Sequence, residues 1–154
     1  MRVVSQAFVA QPERTPRPFN SPLECGLRML FLLVATSREI DLQRLVSYDY
    51  LLVHSGDVAD GPASLHPAVP FRGTELLIKR RLIEAGLDQM FSRELIDKHF
   101  APSGVVYAAT ENTAAFTGLL ASSYADLLRE RAAWLVERFD ATTDAEVDKF
   151  MAET

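Results

Sequence analysis

Three histidines, His54, His66 and His99, are the side chains best suited to metal chemistry, and Asp57 and Asp60 stand close to His54. Neutral imidazoles and carboxylates hold zinc, but the tight H-E-x-x-H spacing that sets two imidazoles on one helix face does not occur. No metal centre is expected. His54, at a helix end, and His66, in a Gly/Pro-rich loop, are read as hydrogen-bonding partners of loop backbone groups. Ser55 and Ser64 have His and Asp neighbours, yet no Gly-x-Ser-x-Gly elbow is present. Cys25, the only cysteine, falls on an apolar helix, where a thiol is usually packed and inert. A phosphate loop of the Gly-x-x-x-x-Gly-Lys-Ser/Thr kind is absent. The reading is a chain without catalytic residues or cofactors, not an enzyme.

DNA contact is the stronger competitor. Lys79, Arg80 and Arg81 lie on one helical run, Arg72 comes just before it, and Arg93, Lys98 and His99 follow. Lys79, Arg80, Arg81 and Lys98 are the candidate DNA contacts. Consecutive residues are 100° apart on a helix, however, so the three cations fan out. Glu75, Glu84 and Asp88 dilute them. The net charge of −5 also opposes autonomous binding to a polyanion.

These residues need elements to position them. Asn20 or Ser21 can cap a helix starting at Pro22, whose stripe is Leu23, Leu27, Leu30, Phe31 and Val34. A second helix runs from Asp41, its N-cap, to about His54, with Leu42, Leu45, Val46, Leu52 and Val53 facing inward. Asp49 falls on that same stripe. It is either a buried carboxylate that needs a cationic partner or a helix-edge residue reaching water.

Residues 55–73 form the longest loop, punctuated by Gly and Pro. A helix over Thr74–Ala85, capped by Gly86, and a short one near Asp88–Arg93 are expected next. Two strands, Leu95–Phe100 and Val105–Thr110, flank the turn Ala101-Pro102-Ser103-Gly104. A helix follows from Glu111, then a long one over Ser123–Phe139 carrying Tyr124, Leu127, Leu128, Leu135 and Phe139. Trp134 sits beside these with Arg129, Arg131 and Arg138, a composition common at interfaces. The order predicts an α+β, mainly helical fold: a winged helix-turn-helix with a hairpin wing and a long C-terminal helix.

At 154 residues, 48% of them apolar, the chain has one domain's worth of core. Residues 20–139 are read as the domain. Residues 1–19 are an N-terminal extension in which Val3, Val4, Phe8 and Val9 suit a strand, and 140–154 are a tail with one more helical turn. A lone cysteine excludes an internal disulfide and suits a reducing cytoplasm. No signal-peptide pattern opens the chain, and Met29–Ala35, the longest apolar run, is too short to span a bilayer. A soluble, cytoplasmic protein without membrane contact is expected.

The run from Leu45 to Asp57, with Tyr48, Asp49 and His54 inside it, resembles the middle component of bacterial ABC-three-component defence systems, to which Lamassu-type anti-phage systems belong. Ser64-Leu65-His66-Pro67, Phe71-Arg72-Gly73-Thr74-Glu75-Leu76 and Leu82-Ile83-x-x-Gly86-Leu87 carry the same resemblance. It covers about residues 20–139. It implies a small non-enzymatic adaptor between an SMC-like ABC ATPase with coiled coils and an effector, expected to be a nuclease, held inactive until foreign DNA is sensed. Tyr48, Asp49, His54, Asp57, His66, Arg72 and Trp134 are then the candidate partner-binding residues, with the N-terminal arm and the loop Gly56–Gly73 as interfaces. The alternative is a winged-helix transcription regulator that binds operator DNA as a dimer.

Overall fold

Six α-helices and a three-stranded antiparallel sheet make up the described part of the chain, residues 21–69 and 72–153 of a computed structural model. The N-terminal arm and the Arg72 side chain lie outside the described residues.

Helix α1 (Pro22–Thr36) begins where expected: the Ser21 side chain accepts from the Glu24 amide and Pro occupies the first turn. Its interior is broader than the predicted stripe. Cys25, Met29, Leu30, Phe31, Leu32 and Leu33 are all buried, while Leu23 faces solvent. A helix apolar nearly all round belongs in the middle of a fold, and α1 is packed by the helices on either side of it. After a two-residue strand β1 (Ile40–Asp41), Asp41 caps α2 (Leu42–Val53) by accepting from the Arg44 amide. A single 3-10 turn, Ser55–Asp57, opens the loop.

The next expectation needs correction. Gly86 does not end a helix. One continuous helix, α3 (Arg72–Ser92), runs through it. Ile83, Leu87 and Met90 bury one face on both sides of the glycine, and that burial outweighs the roughly 1 kcal/mol intrinsic cost of Gly in a helix. Gly86 is instead a contact point: a Cβ there would meet Pro22 O at 2.5 Å and Gly26 N at 2.6 Å. Two glycines thus let α1 and α3 touch backbone to backbone. The turn after α3 uses Glu94 with positive φ.

Strands β2 (Ile96–Ala101) and β3 (Gly104–Ala109) form the predicted hairpin, with Ile96 opposite Ala109 and Ala101 opposite Gly104. Gly104 has φ +127°, a conformation that side-chain-bearing residues rarely adopt. β1 pairs on the far side of β3, which gives the order β1-β3-β2. Helix α4 (Glu111–Gly118) starts in a Thr110/Thr113 capping box. The Thr113 hydroxyl also donates to Leu95 O, fastening the helix to the hairpin.

Helix α5 (Ser123–Phe139) packs Ala125, Leu128, Ala132, Leu135 and Phe139 on α1 and α2. Leu127, expected inside, is partly exposed. The segment expected to add one turn is a ten-residue helix, α6 (Asp144–Glu153), which inserts Val147 and Met151 into the same core.

Candidate functional site

The densest polar arrangement lies inside the molecule. Arg28 of α1 donates through Nε to Asp49 Oδ1 at 2.7 Å and through Nη2 to Oδ2 at 3.0 Å. Lys79 of α3 donates to the same Oδ2 at 2.6 Å. All three side chains are buried; Glu75, one turn before Lys79, stands 4.0 Å from its ammonium. Arg28 Nη2 also reaches Cys25 Sγ at 3.4 Å.

The electrostatics follow from this geometry. Burial would raise the Asp49 carboxyl, but Arg28 and Lys79 overcome it and hold the group well below the usual carboxylate range. Burial, with Asp49 adding, pushes the Cys25 thiol up to about 11, so it is not a nucleophile at neutral pH. An Asp49 that stays ionised in a closed interior has no proton to trade. The cluster holds three helices in one register, because any slip strands a buried charge without its partner.

The loop after α2 is bound to this core. Leu65 and His66 both donate their amides to Val53 O. The Ser55 hydroxyl donates to Ala63 O and the Gly56 amide to Ser64 Oγ. Arg131 of α5, itself buried, clasps Ala63 O with Nε and Nη2 at 3.2 and 3.0 Å. Gly61 fits against Trp134, where a Cβ would lie 3.2 Å from the indole. Sequence reasoning expected His54 and His66 to bind loop backbone through their rings. In the structure His66 Nε2 pairs with the Tyr124 hydroxyl at 2.8 Å, and the His54 ring lies 4.4 Å from the Tyr50 ring. Burial, reinforced by Arg28 and Lys79, lowers His66 to about 3; burial and then Lys79 lower His54 as well. Both are neutral above pH 7. Among the described residues no group of three or more His, Cys, Asp or Glu is placed to hold a metal.

The candidate partner-binding residues therefore separate. Tyr48, Asp49, His54 and His66 are interior. Asp57 is exposed and accepts from the Tyr50 hydroxyl at 2.8 Å. Trp134 is half-buried. The candidate DNA contacts separate too. Lys79 is 1% exposed, its charge spent on Asp49, so its ammonium is not on offer to a phosphate. Arg80 is exposed and donates to Gln43; Arg81 is exposed; Lys98 reaches Asp88 at 3.5 Å.

Sequence reasoning missed Arg28 and a second polar junction. Arg44 donates to Asp144, to Phe139 O and to Thr142 O. The Tyr48 hydroxyl donates to Asp140 at 2.7 Å, where Thr36 and Arg38 also converge. A signal existed for both: an arginine standing among core residues of an apolar helix, at 28 and at 44, needs an acceptor inside the fold.

No helix among the described residues is long and apolar enough to cross a membrane. The family model of the ABC-three component (ABC-3C) system Middle Component 2 matches residues 18–154. No curated protein and no solved structure matches the chain.

Proposed function

The chain belongs to the Middle Component 2 family of ABC-three component systems, and from that premise we propose that it is a non-enzymatic adaptor in a defence complex of Lamassu type. In this reading one surface binds an SMC-like ABC ATPase with coiled coils, and another positions an effector nuclease and keeps it inactive until foreign DNA is sensed. The observation that carries the reading is the family match, which includes the C-terminal helix.

The architecture supports it. Helix, short strand, two helices and a hairpin, with sheet order β1-β3-β2, is the arrangement we read as a winged helix-turn-helix. Arg28, Asp49 and Lys79 are committed to one another in the interior, as in a rigid adaptor whose business is on its surface. Large apolar side chains stay outside: Leu77, Phe100 and Leu119 are each more than two-thirds exposed.

The test is co-purification. The tagged chain is expressed with its native neighbouring genes and passed through size exclusion. A stable complex with an ATPase carrying Walker motifs and long heptad repeats is expected. Elution as a lone dimer that shifts a DNA fragment from its own promoter would overturn the reading in favour of a transcription regulator.

A further inference from the structure

The C-terminal helix α6 is tied to the fold differently from the residue that closes α5. Asp140, the C-cap of α5, is anchored from α1, α2 and the turn between them. It accepts from the Thr36 and Tyr48 hydroxyls, each at 2.7 Å, and from Arg38 at 3.2 Å. After it the ties change. The Thr143 amide donates to the Glu146 carboxylate at 3.1 Å, and the Glu146 amide donates back to the Thr143 hydroxyl at 3.2 Å. This reciprocal cap lets α6 start without help from the rest of the fold.

Little holds α6 down. Its buried residues are Val147, 0% exposed, and Met151, 7% exposed. The Phe150 ring adds a contact with Phe139 at 5.5 Å. Arg44 of α2 donates to Phe139 O at 2.8 Å, to Thr142 O at 2.7 Å and to Asp144. The Asp144 side chain is 68% exposed, so water competes for this last bond. Arg44 itself is buried, and its Nε has no hydrogen-bond partner among the described residues. Closing α6 over Arg44 thus leaves a donor unpaired that opening would hydrate. Nor is the flank toward α3 filled: a groove of about 500 Å³, lined by Val46, Ser47, Leu76, Arg80, Asp148 and Met151 among others, runs between α2, α3 and α6.

We infer that α6 is a latch. It swings away as a unit about residues 141–143 while the rest of the chain stays folded, and Arg44 is the catch. Segments with few buried apolar side chains and solvent-reached polar ties are the ones that open below the free energy of global unfolding. Closed, α6 covers the α2 flank beside the groove. Open, it exposes that flank together with Val147 and Met151. The state of the latch therefore sets which apolar surface the chain presents, whatever its partner.

The native Cys25, 0% exposed in α1, serves as an internal reference. In the full chain carrying Val147→Cys, labelling with a thiol reagent reports the opening of both sites in one molecule. The Val147→Cys thiol should react at least about 100-fold faster than Cys25, and its rate should hardly change in low urea, because a local opening exposes little surface. The Cys25 rate should climb steeply with urea. Adding Arg44→Met should raise the ratio of the two rates by about ten-fold. Hydrogen exchange of the wild-type chain checks that the substitution did not create the opening: amides of residues 147–151 should exchange together, faster than those of α1. Equal rates and equal urea dependence for the two thiols would mean that α6 opens only when the whole chain unfolds, and would overturn the latch. Wild-type α6 amides as protected as those of α1 overturn it as well. A ratio unmoved by Arg44→Met overturns Arg44 as the catch.

Discussion

Arg28 and Asp49, 21 residues apart in the chain, close a two-pronged ion pair at 2.7 and 3.0 Å with both side chains out of reach of water. Lys79 completes it from a third helix. Removing the shared carboxylate leaves two buried cations without a counter-charge. Asp49→Ala should cost about 3–5 kcal/mol, measured by urea unfolding. Replacing the whole cluster by apolar residues of like size, Arg28→Met/Asp49→Leu/Lys79→Met, should recover most of that loss. If Asp49→Ala unfolds with the wild-type midpoint, the cluster does not hold the helices as argued.

Acid should loosen the molecule before the carboxylates titrate. His66 is neutral in the fold, with its pKa lowered from 6.5 to about 3 by burial and by the cations of the cluster. The unfolded chain binds that proton near pH 6.5 and the folded chain only near pH 3, so stability falls as pH drops through this window. His54 is shifted the same way. Melting temperature should decline from pH 7 to pH 4.5, and His66→Gln should flatten that decline. An equally steep slope in the variant would assign the effect elsewhere.

Gly86→Ala is a test of close helix packing. Helix propensity alone favours alanine by about 1 kcal/mol. The new Cβ would sit 2.5 Å from Pro22 O, which is backbone and cannot swing away. We expect net destabilisation of about 1–3 kcal/mol, as for other overpacked cores. A stabilised variant would mean that α1 and α3 do not touch here.

The loop after α2 is held by Arg131. Arg131→Ala removes both bonds to Ala63 O and should cost about 1.5–3 kcal/mol, the range for hydrogen bonds to charged groups. Hydrogen exchange at the Leu65 and His66 amides should quicken, while exchange in α1 stays slow. Unchanged protection of the loop would show that its own turns suffice.

Much of the fold was legible because its signals are local. Ser21 before Pro22, Asp41 before Leu42, and Pro102–Gly104 between two apolar runs each act through neighbouring backbone groups, and the structure places helix starts and hairpin there. Gly86 was misread for the same reason. A glycine after a helical run has the local character of a cap; the burial of Ile83, Leu87 and Met90 on both sides of it explains why the helix continues, and the approach of Pro22 and Gly26 from α1 explains why the residue is glycine.

The site divides along the same line. The sequence by itself determined that Asp49 lies on an apolar stripe and so needs a cation or an escape to water. It determined the caps and the hairpin. Tertiary structure alone decided which cations answer Asp49, drawing Lys79 inward from the run Lys79-Arg80-Arg81 while Arg80 and Arg81 stay out. The physical reason is that an ion pair between helices depends on distances set by packing, and residues 28, 49 and 79 share no local signal that they will meet. Packing likewise decided that α3 keeps an outward stripe of Leu77, Glu84, Asp88 and Phe91, because a helix face is exposed only by what fails to cover it.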